Sequence, residues 1–150
     1  MSVRHFEDLS VGESHEFGER TVTRDEILSF AELYDPQPFH VDEEAAAESV
    51  FGGLVASGWH TVCLMNRLLV DGFLLDVANM GGRGVDDLRF HRPLRPGTTI
   101  SARVEVLSKE PSERHDARGY VTYRFEAVDD DGERLLSMTA DTLVRRRDAP

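Results

Sequence analysis

Apolar and polar positions follow two different rhythms along this chain. In the C-terminal half they alternate residue by residue. Ile100, Ala102, Val104 and Val106 interleave with Ser101, Arg103 and Glu105. Val121, Tyr123, Phe125 and Ala127 interleave with Thr122, Arg124 and Glu126, and Leu136, Met138, Ala140, Thr142 and Val144 repeat the pattern. A period of two marks a strand with one buried face. Asp129-Asp130-Asp131-Gly132 supplies a turn between the last two strands. Strands joined by turns pair antiparallel. Before them, Gly82–Arg92 is a strand of mixed polarity, and Pro93, Pro96 and Gly97 form a turn.

The N-terminal half reads differently. Met1–Glu13 is an irregular arm, with a turn at Ser10–Glu13. Ser14–Val22 is a strand weakened by Gly18. Thr23 and Glu26 form a capping box for a short helix through Ile27, Leu28, Ala31 and Leu33, which stops at Asp35-Pro36. Asp42 caps a second short helix containing Ala45–Ala47. A third helix opens at Ser57-Gly58-Trp59, runs to about Val70 and stops at Gly72. Its residues are apolar on nearly every side, which predicts a buried helix with Cys63 as an inert core thiol. The tail from Arg145 is polar and is expected to fray.

These elements predict an α+β fold in one domain over residues 1–150: a twisted antiparallel sheet curled around one buried helix. A ten-residue strand spans about 33 Å and the helix about 20 Å, so the sheet is long enough to wrap it. One sheet layer on one helix leaves an edge strand open, which favours a homodimer in which two sheets join.

Composition narrows the function. Net charge is −11 and the pI about 4.9, which argues against a nucleic-acid binder. Lys109 is the only lysine among 17 basic residues, consistent with high-salt adaptation or with a biased genome. Met1–Leu9 contains no apolar run, the helix is too short to cross a bilayer, and one cysteine gives no intrachain disulfide. A cytoplasmic setting without membrane association is expected.

The candidate chemistry lies in Tyr34-Asp35-Pro36-Gln37-Pro38-Phe39-His40. Two prolines stiffen the segment and hold a carboxylate and an imidazole at a defined separation. Spacing alone leaves two readings open: an acid/base pair, or a helix cap at Asp35 with a surface histidine at His40. Gly58 heads the buried helix, where backbone N–H groups lack partners and a ligand oxygen can approach. His60 reads as helix packing. Asp35, His40 and Asp42 lack a recognised metal-ligand spacing.

The segment resembles the MaoC-like dehydratase family, the (R)-specific enoyl-CoA hydratases. Asp35, Pro38, Phe39 and His40 match the family signature in spacing, with Ala46 as its small residue. Gly58 stands where the family's central helix begins, and Leu88–Gly97 looks like its strand and turn before the next long strand. The likeness covers nearly the whole chain. Tyr34 departs from a family glycine and Gln37 from an asparagine, and Cys63 stands near a family serine. The resemblance implies a hot-dog fold and hydration of trans-2-enoyl-CoA, or the reverse, with no cofactor beyond the coenzyme A thioester substrate. It implies Asp35, His40 and the Gly58 amide as catalytic groups. Gln37, Trp59, Arg89 and Arg92 would contact substrate; Arg89, Arg92 and Arg95 read equally as solvated charges. Rival readings are a hot-dog thioesterase and a non-catalytic acyl-CoA-binding module.

Overall fold

A computed structural model describes residues 2–147. Five strands, β1 (Ser14–Thr21), β2 (Asn79–Phe90), β3 (Thr99–Pro111), β4 (Arg118–Asp129) and β5 (Arg134–Arg145), form one antiparallel sheet in the order β1-β3-β4-β5-β2. Four helices precede or interrupt them: α1 (Arg24–Tyr34), α2 (Pro38–Val41), α3 (Glu43–Glu48) and α4 (Gly58–Gly72). This is the hot-dog arrangement, a sheet wrapped on a central helix. The alternating residues of β3, β4 and β5 supply the core, with Ile100, Val104, Val121, Tyr123 and Leu136 almost fully buried.

Both N-caps form, but the Thr23–Glu26 box is only half made, because the Glu26 carboxylate accepts from Arg20 at 3.3 Å instead of reaching back to the Thr23 N–H. Thr23 accepts from the Glu26 N–H, and Asp42 accepts from the Glu44 and Ala45 N–H groups. The turn before β5 also forms: Asp129 Oδ1 accepts from Asp131 and Glu133, and Gly132 adopts φ 79°.

Several expectations need correction. The central helix is not buried all round. His60, Thr61, Leu64, Met65 and Leu69 face inward, whereas Cys63, Asn66 and Arg67 are exposed. A single sheet layer covers one side of a helix, so Cys63 is a surface thiol and not a core one. Gly72 is the last residue of α4 and not a left-handed cap after it; Phe73 holds the C-cap position, and a Cβ at Gly72 would lie 2.6–2.8 Å from the Phe17 side chain. The N-terminal arm is ordered against the body. Phe6 and Leu9 are buried, and Arg4 exchanges backbone hydrogen bonds with Asp76 and Ala78 at 2.8 Å. The expected fraying tail is tied down as far as Arg147, whose N–H donates to Glu7 at 2.9 Å; its last three residues lie outside the described ones.

Strand β2 is an edge, exposed along nearly its whole length, and interrupted by three register shifts. Among the described residues no helix is long and apolar enough to cross a membrane.

Candidate active site

Asp35 ends α1, its N–H donating to the Ala31 carbonyl at 2.8 Å. Pro36 bars further helix. Gln37 is extended at φ −72°, ψ 144°, and Pro38 starts α2 at N1, where its missing N–H costs nothing. The proline-bracketed segment is therefore a kink followed by one helical turn, not an extended loop. That turn swings His40 inward, to 6% exposure. The surface-histidine reading is excluded.

A backbone carbonyl orients His40, whose ring also packs edge-on against Phe39 at 4.5 Å. Its Nδ1 lies 2.7 Å from the Val55 carbonyl oxygen. A carbonyl only accepts, so Nδ1 carries the proton, and Nε2 faces Asp35 Oδ2 at 3.5 Å. A lone pair opposite a carboxylate is unfavourable, so this gap suits a shared proton or a water donating to both.

Asp35 is held from both ends. Ser57 Oγ donates to Oδ2 at 2.7 Å, and Gln37 Nε2 donates to Oδ1 at 2.6 Å. Burial pushes the Asp35 carboxyl up. The bonds from Ser57 and Gln37 and the nearby His40 outweigh it and hold the group below the usual aspartate value.

Ser57 joins this pair to α4. The fully buried hydroxyl also accepts from the Trp59 N–H at 3.3 Å, as the N-cap of α4. Gly58 follows as the first helical residue, so its own N–H has no partner within the helix. Asp35, His40 and Gly58 line one cavity of about 480 Å³. Its apolar walls include Phe39, Phe51, Phe90, Leu94 and Leu135.

The other predicted residues divide. Gln37 and Trp59 line the cavity, and Gln37 is spent on Asp35. Arg92 lies at its rim, 3.4 Å from Glu133. Arg89 does not line it, because it pairs with Ser137 on the outer face of the sheet. Arg95 bonds the Phe51 carbonyl at 2.7 Å and steadies that loop. Ala46 is fully buried. His60 is a packing residue, its ring stacked on Phe30 at 4.5 Å, and burial lowers its pKa. Among the described residues no group of three or more His, Cys, Asp or Glu is placed to hold a metal ion.

Sequence reasoning missed Ser57 as a partner of Asp35; its only local signal was the helix cap. It also missed Phe90 and Leu135, which reach the cavity from distant strands.

The fold and site define a hot-dog domain with a carboxylate–imidazole pair at the leading end of its central helix. Residues 7–127 match the MaoC like domain, and the chain belongs to that family. The structure of the MaoC-like dehydratase from Rhodospirillum rubrum superposes with a TM-score of 0.88 at 38% identity, covering 95% of this chain and 97% of that one. The 3-hydroxybutyryl-CoA dehydratase of Methylorubrum extorquens is 29% identical over 155 residues, spanning 97% of this chain and 94% of its own. The (R)-specific enoyl-CoA hydratase of Rhodospirillum rubrum is 30% identical over 131 residues, 83% of this chain and 81% of its own.

Proposed function

We propose that this protein is a hydro-lyase that adds water across trans-2-enoyl-CoA to give the (R)-3-hydroxyacyl thioester, and catalyses the reverse. The observation that carries the reading is the Asp35–His40 pair, 3.5 Å apart, in one cavity with the Gly58 amide. The relatives named for this chemistry support it.

In the proposed reaction the thioester oxygen accepts from the Gly58 N–H. Water sits between Asp35 and His40. In this scheme the pair carries one proton, on His40 Nε2. As the water oxygen bonds to C3, its proton passes to Asp35. The C2–C3 π electrons move toward the thioester oxygen, where the amide stabilises the enolate-like charge. His40 Nε2 then delivers its proton to C2, restoring the carbonyl. Transfer from Asp35 to His40 resets the pair. A positioned amide donor contributes on the order of 10²–10³ in rate, and acid–base help about 10²–10⁴. Arg92 at the rim serves the coenzyme A phosphates, for which a guanidinium is well suited.

Two further features belong to this reading. The open edge of β2 pairs with a second copy, since an unpaired strand of this length invites one. The reaction is placed in the cytoplasm, where the exposed Cys63 thiol stays reduced. Incubation with crotonyl-CoA tests the activity: loss of the enoyl absorbance without release of free thiol is expected. Thiol release would indicate a thioesterase, and no change in either would refute the assignment.

A further inference from the structure

The bulge in β2 next to the site decides which side chain enters the cavity. Asp86 pairs with Thr139, and Arg89 pairs with Ser137. Two residues of β2, Asp87 and Leu88, therefore oppose one residue of β5, Met138. Asp87 takes φ 51°, the only positive φ at a non-glycine residue among those described. Residues other than glycine take this conformation uncommonly, and strained positions cluster at functional sites.

An extra residue reverses the facing of everything after it. On β5, Leu136 and Met138 face inward while Ser137 faces outward. Phe90 pairs with Leu136 and so points inward; Arg89 pairs with Ser137 and points outward. Without the bulge the two would exchange, and a guanidinium would enter the apolar wall. The bulge thus places a flat ring, not a charge, beside Gly58.

The contact is close. A Cβ added at Gly58 would lie 2.5, 2.6 and 2.9 Å from three atoms of the Phe90 ring. Trp59 also meets the ring edge-on, at 6.4 Å and 83°. Phe90 is nevertheless 54% exposed, so its burial in a core does not explain its position.

We propose that Phe90 is the specificity-determining wall of the thioester site, aimed by the Asp87–Leu88 bulge and selecting acyl groups unsubstituted at C2. This rests on the hydratase reading above. A thioester oxygen bonded to the Gly58 N–H places the acyl carbonyl alongside the ring. A methyl branch at C2 widens the acyl plane there and meets the wall. One methyl or methylene in such a pocket changes selectivity about 10–200-fold.

The test compares binding of butyryl-CoA and 2-methylbutyryl-CoA by calorimetry, in the wild type, Phe90→Ala and Phe90→Leu. Saturated acyl groups read the wall without turnover. The wild type is expected to prefer the unbranched ligand at least 10-fold. Phe90→Ala should narrow the preference to about twofold, with Phe90→Leu between. Should Phe90→Ala fail to fold, the Phe90→Leu shift decides alone. An unchanged ratio in the folded variants, or no preference in the wild type, overturns the proposal. Crotonyl-CoA hydration by the wild type, run in parallel, separates the two readings. Its absence refutes the hydratase assignment, whereas its presence with an unchanged ratio refutes only the role of Phe90.

Discussion

Ser57→Ala removes one hydroxyl that serves two groups, and its consequences are separable. The Oγ donates to Asp35 at 2.7 Å and accepts from the Trp59 N–H at 3.3 Å. Losing an N-cap costs typically about 1 kcal/mol, and a hydrogen bond to a charged group about 1.5–3 kcal/mol. The Asp35 side chain keeps 16% exposure, so water replaces part of the second loss. A destabilisation of about 2 kcal/mol is therefore expected at neutral pH, which for a chain of this size lowers the Tm by about 4–8 °C. The pH dependence carries a second signature. The folded Asp35 pKa is depressed, so its stabilisation is present above the unfolded value of about 3.9 and is lost as pH falls through the folded value. The variant removes one cause of that depression. The gap in Tm between wild type and variant should shrink as pH drops below about 4, leaving only the cap term. In the hydration assay the acid limb of kcat/KM should move to higher pH. Thermal unfolding at pH 7 and at about pH 2, with a pH–rate profile, checks both. A constant Tm gap and an unmoved acid limb would reduce Ser57 to a helix cap and refute the coupling.

Three further outcomes follow from the packing and the surface. Glu13, hydrogen-bonded by Arg4 and His15, is held down to about 2 despite the opposing effect of burial. Glu13→Gln should therefore lower stability at neutral pH, with the difference fading as pH falls from about 4.5 toward 2, followed by urea unfolding. Met65→Ala, at a fully buried position under the sheet, should cost about 2–5 kcal/mol in the same assay. Light scattering should give twice the chain mass for the wild type, and Val85→Lys on the exposed β2 edge should shift it toward monomer; a monomeric wild type would refute pairing of the edges.

The sheet was legible because β3, β4 and β5 bury one face each, and a period of two survives in Ile100–Val106 and Leu136–Val144 as plain alternation. The caps at Thr23 and Asp42 are local chemistry and were equally readable. The exposure of Cys63 was not, because α4 carries apolar residues on its open side too, and only the single sheet layer decides which side is covered. Within the site, Asp35, His40 and Gly58 could be picked out by residue type and by resemblance. The contacts that orient them could not. The Val55 carbonyl is a backbone group with no sequence signal, and Ser57 looks identical whether or not a carboxylate 22 positions earlier reaches it. The facing of Arg89 and Phe90 depends on one unpaired residue in a strand whose mixed polarity hides its register.

The proposed reaction requires Asp35 and His40 to act as one proton-handling unit beside the Gly58 amide. Crotonyl-CoA hydration by the wild type, Asp35→Asn, His40→Gln and the double variant tests it most directly. Each single variant should lose about 10²–10⁴ in kcat, and the double variant should be little worse than either. Full activity in either folded single variant would contradict it.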